Sequence, residues 1–154
     1  MWNMEYNNVY CGKKIANEFI KLSLKENNTL THMHIQKLVY FAHAMSLATY
    51  NKPLVKETFQ AWPYGPVNVE IYQELKLSGK DNIKSMLKTE DDSVELDENS
   101  KKIIQAVYDK FGKKNAWKLS EISHNNSPWK KVFEKGKSNP ISNEDIINYY
   151  KSGE

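Results

Sequence analysis

Between residues 35 and 50 about two thirds of the positions are apolar. Ile35, Leu38, Val39, Ala42 and Met45 recur at the spacing of one helix face, while Tyr40, Phe41, Ala44, Leu47 and Ala48 cover most of the opposite side. Gln36, His43 and Tyr50 leave only a narrow polar seam. A helix that is apolar nearly all round is buried rather than laid on a surface. The pattern therefore predicts a buried central helix over about residues 31–50, with Thr31 as its N-cap. An apolar run of about sixteen residues, interrupted by Lys37 and His43, is too short to span a bilayer.

The elements on either side follow from the same periodicities. Residues 13–24 form an amphipathic helix with Ile15, Ala16, Phe19, Ile20 and Leu22 facing inward. After the central helix, Asn51-Lys52-Pro53 is a stop, because proline lacks a donor and clashes with the preceding turn. Phe59, Gln60, Ala61 and Trp62 alternate as a strand does, which predicts extended chain over residues 58–62. Pro63-Tyr64-Gly65-Pro66 reads as a rigid turn, with Pro66 suited to the first position of a helix running through Leu77. A short helical piece is predicted over residues 81–88. In the acidic stretch that follows, Val94 and Leu96 alternate with Ser93 and Glu95. Residues 93–96 are accordingly expected to pair with 58–62 as a small two-stranded β ribbon.

The last third carries clear helix starts. Asp97 caps a helix bearing Ile103, Ile104, Val107, Tyr108 and Phe111, and Gly112 ends it. Asn115 caps the next, and Ser127-Pro128 opens a short one through Phe133. Ser142 is an N-cap with Asp145 three residues on, and Ile141 and Ile146 have the spacing of a hydrophobic staple. With no repeat, linker or compositional break, residues 1–154 are expected to form a single, mainly α domain.

Composition narrows the chemistry. A chain of 154 residues can bury a core without metal or disulfides, and its one cysteine, Cys11, excludes a disulfide framework and a CxxC site. Residues 1–10 are polar and lack the apolar run of a secretory leader. Both points lead us to expect a cytoplasmic protein. All 22 basic residues are lysine, and the net charge is only +3. Without arginine's bidentate fork, sequence-specific reading of DNA is disfavoured. The abundance of Lys and Asn, both served by A/T-rich codons, fits a gene of low-GC bacterial or mobile-element origin.

No catalytic constellation emerges. His32 and His34 lie two apart, which places them far round a helix from each other near its solvent end, and neither HExxH nor a carboxylate–histidine cluster is present. His43 falls on the polar seam as a satisfied core histidine. His124 closes a helix just before Ser127-Pro128-Trp129, where an imidazole serves the last carbonyls or packs under the turn. The lysines at 130, 131, 135 and 137 read as a solvated face, and no glycine-rich phosphate loop is present. Trp62, Tyr64, Trp117 and Trp129 are core residues by default and interface anchors where exposed. We expect no enzyme activity, no cofactor and no metal.

Three segments together resemble a known family. Leu30–Leu54 (LTHMHIQKLVYFAHAMSLATYNKPL) is similar to its L-x-KLLYYA-x-G helix and KPLF turn. FQAWPYGPVNVEIYQEL, from Phe59, is similar to its F-x-AW-x-x-GPV-x-P-x-VY segment. WKLSEISHNNSPWKKV, from Trp117, resembles its LS-x-x-TH-x-x-x-PW segment, and a closing SNEDI helix starts at Ser142. These are marks of the Panacea antitoxin family, the SocA/GepA-like phage-associated domains. Val69 replaces the usual proline, and Ser123-His124-Asn125-Asn126 replaces a Thr-His-acidic run.

The resemblance implies a mainly helical bacterial or prophage protein that neutralises a cognate toxin, encoded by the adjacent gene, through direct contact. The interface is expected around Trp62, Tyr64, Pro66, His124 and Trp129. The alternatives are a DNA-binding regulator using residues 129–137, a phage accessory protein, or a hydrolytic enzyme with His43 or His124 as base.

Overall fold

The computed structural model describes residues 9–90, 93–125 and 127–151. In chain order the elements are α1 (Gly12–Lys25), α2 (His32–Tyr50), β1 (Gln60–Trp62), β2 (Gly65–Val67), α3 (Val69–Leu75), α4 (Glu98–Phe111), α5 (Ala116–His124), α6 (Pro128–Val132), β3 (Asn139–Pro140) and α7 (Asn143–Lys151). The fold is mainly α, as the apolar periodicity predicts. Helix α2 is its axis: α1, α4, α5, α7 and β2 all pack against it. From Ile35 through Ala44 every residue of α2 is buried, polar Gln36, Lys37 and His43 included.

The ends of α2 show how local chemistry fixes its length. The Thr31 hydroxyl accepts the His34 N–H, and the Thr31 N–H donates to His34 Nδ1 at 3.1 Å, a capping box in which histidine takes the usual place of glutamate. His34 Nε2 then donates to the Lys114 carbonyl at 3.0 Å, which ties the start of α2 to the loop before α5. At the far end Asn51 adopts φ 59°, the left-handed conformation that asparagine tolerates.

Three local expectations are corrected. Strand β1 does not pair with 93–96. It lies between β2 and β3, antiparallel to both, so neither of its edges is open to a further strand. Leu96 enters the core, while Val94 is 42 % exposed on a segment leading straight to the Asp97 cap. Pro66 belongs to β2 opposite Ala61, and the helix that follows starts only at Val69, capped by Asn68. Residues 81–88 are not helical, because their backbone groups find partners elsewhere. Ile83 N–H donates to the Leu30 carbonyl at 2.7 Å, and Leu87 exchanges two bonds with the Asn17 side chain at 2.7 and 3.0 Å.

The caps foreseen at Asp97, Asn115 and Ser127 all accept the N–H three residues on. At α7, Ser142 Oγ accepts Asp145 N–H at 3.0 Å, and the staple partners Ile141 and Ile146 are both buried. The Asp145 carboxylate pairs with Lys131 rather than completing the box. Ser142→Ala is expected to cost about 1 kcal/mol, measured by denaturant unfolding.

Candidate functional site

The β1–β2 hairpin turns through Pro63 and Tyr64, with Trp62 opposite Gly65. Pro63 has its φ fixed by its ring, and Gly65 supplies φ 116°, which side-chain-bearing residues avoid. The turn is then pinned by three helices. Trp129 Nε1, from α6, donates to the Trp62 carbonyl at 2.7 Å. Ser120 Oγ, from α5, donates to the Tyr64 carbonyl at 2.8 Å. Lys37 Nζ, from α2, donates to the Pro66 carbonyl at 3.1 Å. Beyond Pro66, the Gln36 amide bonds both the N–H and the carbonyl of Asn68, at 2.8 and 3.1 Å. A segment with little regular structure of its own is thereby held rigid by side chains.

The five residues singled out in the sequence meet around this turn, in different environments. His124, the last residue of α5, stacks on Trp129 with ring centroids 4.0 Å apart, and Trp129 stacks on Phe133 at 4.6 Å. Burial lowers the His124 pKa, Lys37 adds to the effect, and the Tyr64 carbonyl opposes it. Trp62 is half-buried edge-on to Tyr72 at 4.6 Å, and Pro66 is buried. Tyr64 alone of the five is exposed, at 57 %, and meets the 58 % exposed Trp117 edge-to-face at 5.4 Å. Trp117 had no signal beyond its residue type, since a tryptophan in a helix's first turn reads equally well as core.

Beside the turn lies a cavity of about 360 Å³ lined by His32, Gln36, Lys37, Trp62, Tyr64 and Tyr72, among others. Lys37 is 2 % exposed, and burial lowers its pKa to about 7. Burial, with Lys37 nearby, brings His32 to about 4. Sequence reading missed Lys37, because a lysine on an apolar helix passes for a snorkelling surface residue.

The other candidates have structural partners. His43 Nδ1 accepts the Leu54 and Val55 N–H groups at 3.3 and 3.1 Å, and its Nε2 faces Asn143 Oδ1 at 2.8 Å. The serines on α5 give their protons to carbonyls, Ser120 to Tyr64 and Ser123 to Ser120, so neither is presented to His124 as a nucleophile. Cys11 Sγ lies 3.0 Å from Thr89 Oγ1 at the start of α1. Among the described residues no group of three or more His, Cys, Asp or Glu could hold a metal, and no helix is long and apolar enough to cross a membrane. In the basic stretch, Lys131 pairs with Asp145 and Lys137 with Glu134, and α6 is only 5 residues long.

The family described as "Antitoxin SocA-like, Panacea domain" matches residues 35–130, a span that contains α2 from Ile35 onward, the hairpin, the Ser120–His124 turn of α5 and Trp129. The curated protein "Antitoxin SocA" of Caulobacter vibrioides (strain NA1000 / CB15N) is 27 % identical over 126 residues, covering 76 % of this chain and 67 % of that protein. No solved structure matches the chain. With well over half its length matched, and the motifs around the turn inside that span, the chain belongs to the SocA-like Panacea antitoxin family.

Proposed function

We propose that this protein is the antitoxin of a bacterial or prophage toxin–antitoxin pair, and that it neutralises a toxin from the adjacent gene by binding it directly in the cytoplasm. The observation that carries the reading is the pair Tyr64 and Trp117, two large aromatics left more than half exposed, the first on a turn that three helices tie down and the second beside it in the first turn of α5. Exposed aromatics of this kind are characteristic anchors of protein interfaces, and a pre-set backbone lowers the ordering cost of association. A stable complex buries on the order of 1,000 Å² or more, so the contact extends beyond these two residues across the neighbouring surface. Trp129 and His124 act in this scheme as supports that aim the turn, and no catalytic step is required of the antitoxin.

The test is the affinity of a Tyr64→Ala/Trp117→Ala double variant for the toxin. It is expected to fall by at least about thirtyfold, the effect of losing one hot-spot aromatic worth ~2 kcal/mol. The melting temperature should change little, because both rings are solvent-facing. Parental affinity in the double variant would overturn the placement. Trp129→Ala is a poorer probe, since the loss of its bond to Trp62 disturbs the turn itself.

A further inference from the structure

We propose that the cavity between α2, the hairpin and α3 is a binding site for an apolar carboxylate, with an aromatic or branched group against Trp62 and Tyr72 and its carboxylate on Lys37. The lining is mostly apolar and aromatic, with a few polar groups at one place, which is the character of a small-ligand site. At about 360 Å³ it admits a group the size of one aromatic amino acid.

Lys37 gives the site its chemistry. Among the described residues its ammonium makes one hydrogen bond, to the Pro66 carbonyl, and no carboxylate lies within ion-pair distance. Lys14, the other buried lysine, is by contrast paired with Glu18 at 3.2 Å. Holding the Pro66 carbonyl requires only a neutral donor. A full positive charge in the same place is costly unless an anion joins it. The neighbours do not supply one: His32 and His124 are basic groups, and Gln36 is neutral and engaged with Asn68. The missing counter-charge and the adjoining apolar space together describe a ligand with a carboxylate on an apolar body.

The proposal stands independently of toxin binding, and its probes are small molecules. ¹⁵N-labelled full-length protein would be titrated with 3-phenylpropionate and, separately, with the neutral 3-phenylpropanamide, following the Trp62 indole and Gln36 amide signals. The carboxylate is expected to bind saturably and at least about tenfold tighter than the amide, as one charge-assisted hydrogen bond requires. Lys37→Met, which retains the length and apolar volume of the stem, is expected to abolish that preference. Equal binding of acid and amide to the parent protein, or no saturable shift with either, overturns the site without reference to any variant. Adding toxin to the probe-bound protein identifies the natural source. Displacement assigns the carboxylate to a residue of the partner, whereas simultaneous binding assigns it to a free small molecule, and both results support the site.

Discussion

Gly65→Ala is expected to destabilise the protein by roughly 2–5 kcal/mol, with a correspondingly large fall in melting temperature. Two costs add. The residue sits at φ 116°, where a side chain brings about 1–2 kcal/mol of backbone strain. A Cβ there would also lie 2.6 Å from Ser123 Oγ and 2.7 Å from Lys37 Cε. Neither neighbour moves freely: Ser123 is buried and bonded to the Ser120 carbonyl at 2.7 Å, and Lys37 is buried and tethered to Pro66. Overpacking of this sort costs about 1–3 kcal/mol further. A variant that melts within a degree or two of the parent would contradict the account of the turn as a close-packed junction. Gly79→Ala is a useful control, since Gly79 also has a positive φ of 56° but nothing lies within 4 Å of its would-be Cβ. It should show only the backbone part of the effect.

Acidification from pH 6.5 to pH 4 is expected to remove about 3 kcal/mol of stability through His43 alone, at ~1.4 kcal/mol per pH unit. The buried imidazole is held neutral, with Nδ1 as an acceptor for two backbone N–H groups and Nε2 as donor to Asn143. Protonating Nδ1 would set a third donor against two others in a site where burial already disfavours charge. Burial lowers its pKa to about 4, and the Asn143 bond only partly opposes this. The folded protein thus takes up this proton only below about pH 4, whereas the unfolded chain takes it up from about 6.5 downward. Between those values the unfolded state binds more protons, so stability falls as the pH falls. His32, lowered to about 4 mainly by burial, acts in the same direction. Urea unfolding at pH 7 and pH 4.5 tests the slope, and imidazole ¹⁵N shifts assign it. A His43 resonance that titrates near 6.5 in the folded protein would refute the argument.

Much of this architecture was legible because its signals are local. The apolar face of α2, the caps at Thr31, Asp97, Asn115, Ser127 and Ser142, and the Ile141–Ile146 staple each need only a few neighbouring residues to specify them. The errors arose where a distant partner decides. Val94 and Leu96 alternate like a strand, but β1 has already paired with β2 and with the two-residue β3, which is too short to carry any periodicity. Residues 81–88 have helical composition, yet Asn17 and Leu30 take their backbone groups. The site divides in the same way. Gly65 and its flanking prolines announce a rigid turn, whereas the side-chain ties to the carbonyls of Trp62, Tyr64 and Pro66 join residues 29 to 67 positions apart. Lys37 is the sharpest case, because nothing in its immediate sequence reveals that a charge is being buried.

In the proposed carboxylate site, the burial of Lys37 ties stability to binding. A buried lysine whose charge has no counter-ion weakens the fold at neutral pH. The hairpin combines this cost with side-chain ties to three of its carbonyls, so that Tyr64 is presented to solvent on a tethered backbone.

Neutralisation by direct contact through this turn is most directly tested by co-expressing the protein with the product of its adjacent gene, recording growth and the pulled-down complex in the same cultures. The account predicts restored growth with a stoichiometric complex, and loss of both in the Tyr64→Ala/Trp117→Ala variant while that variant remains folded. Restored growth without any complex would contradict it.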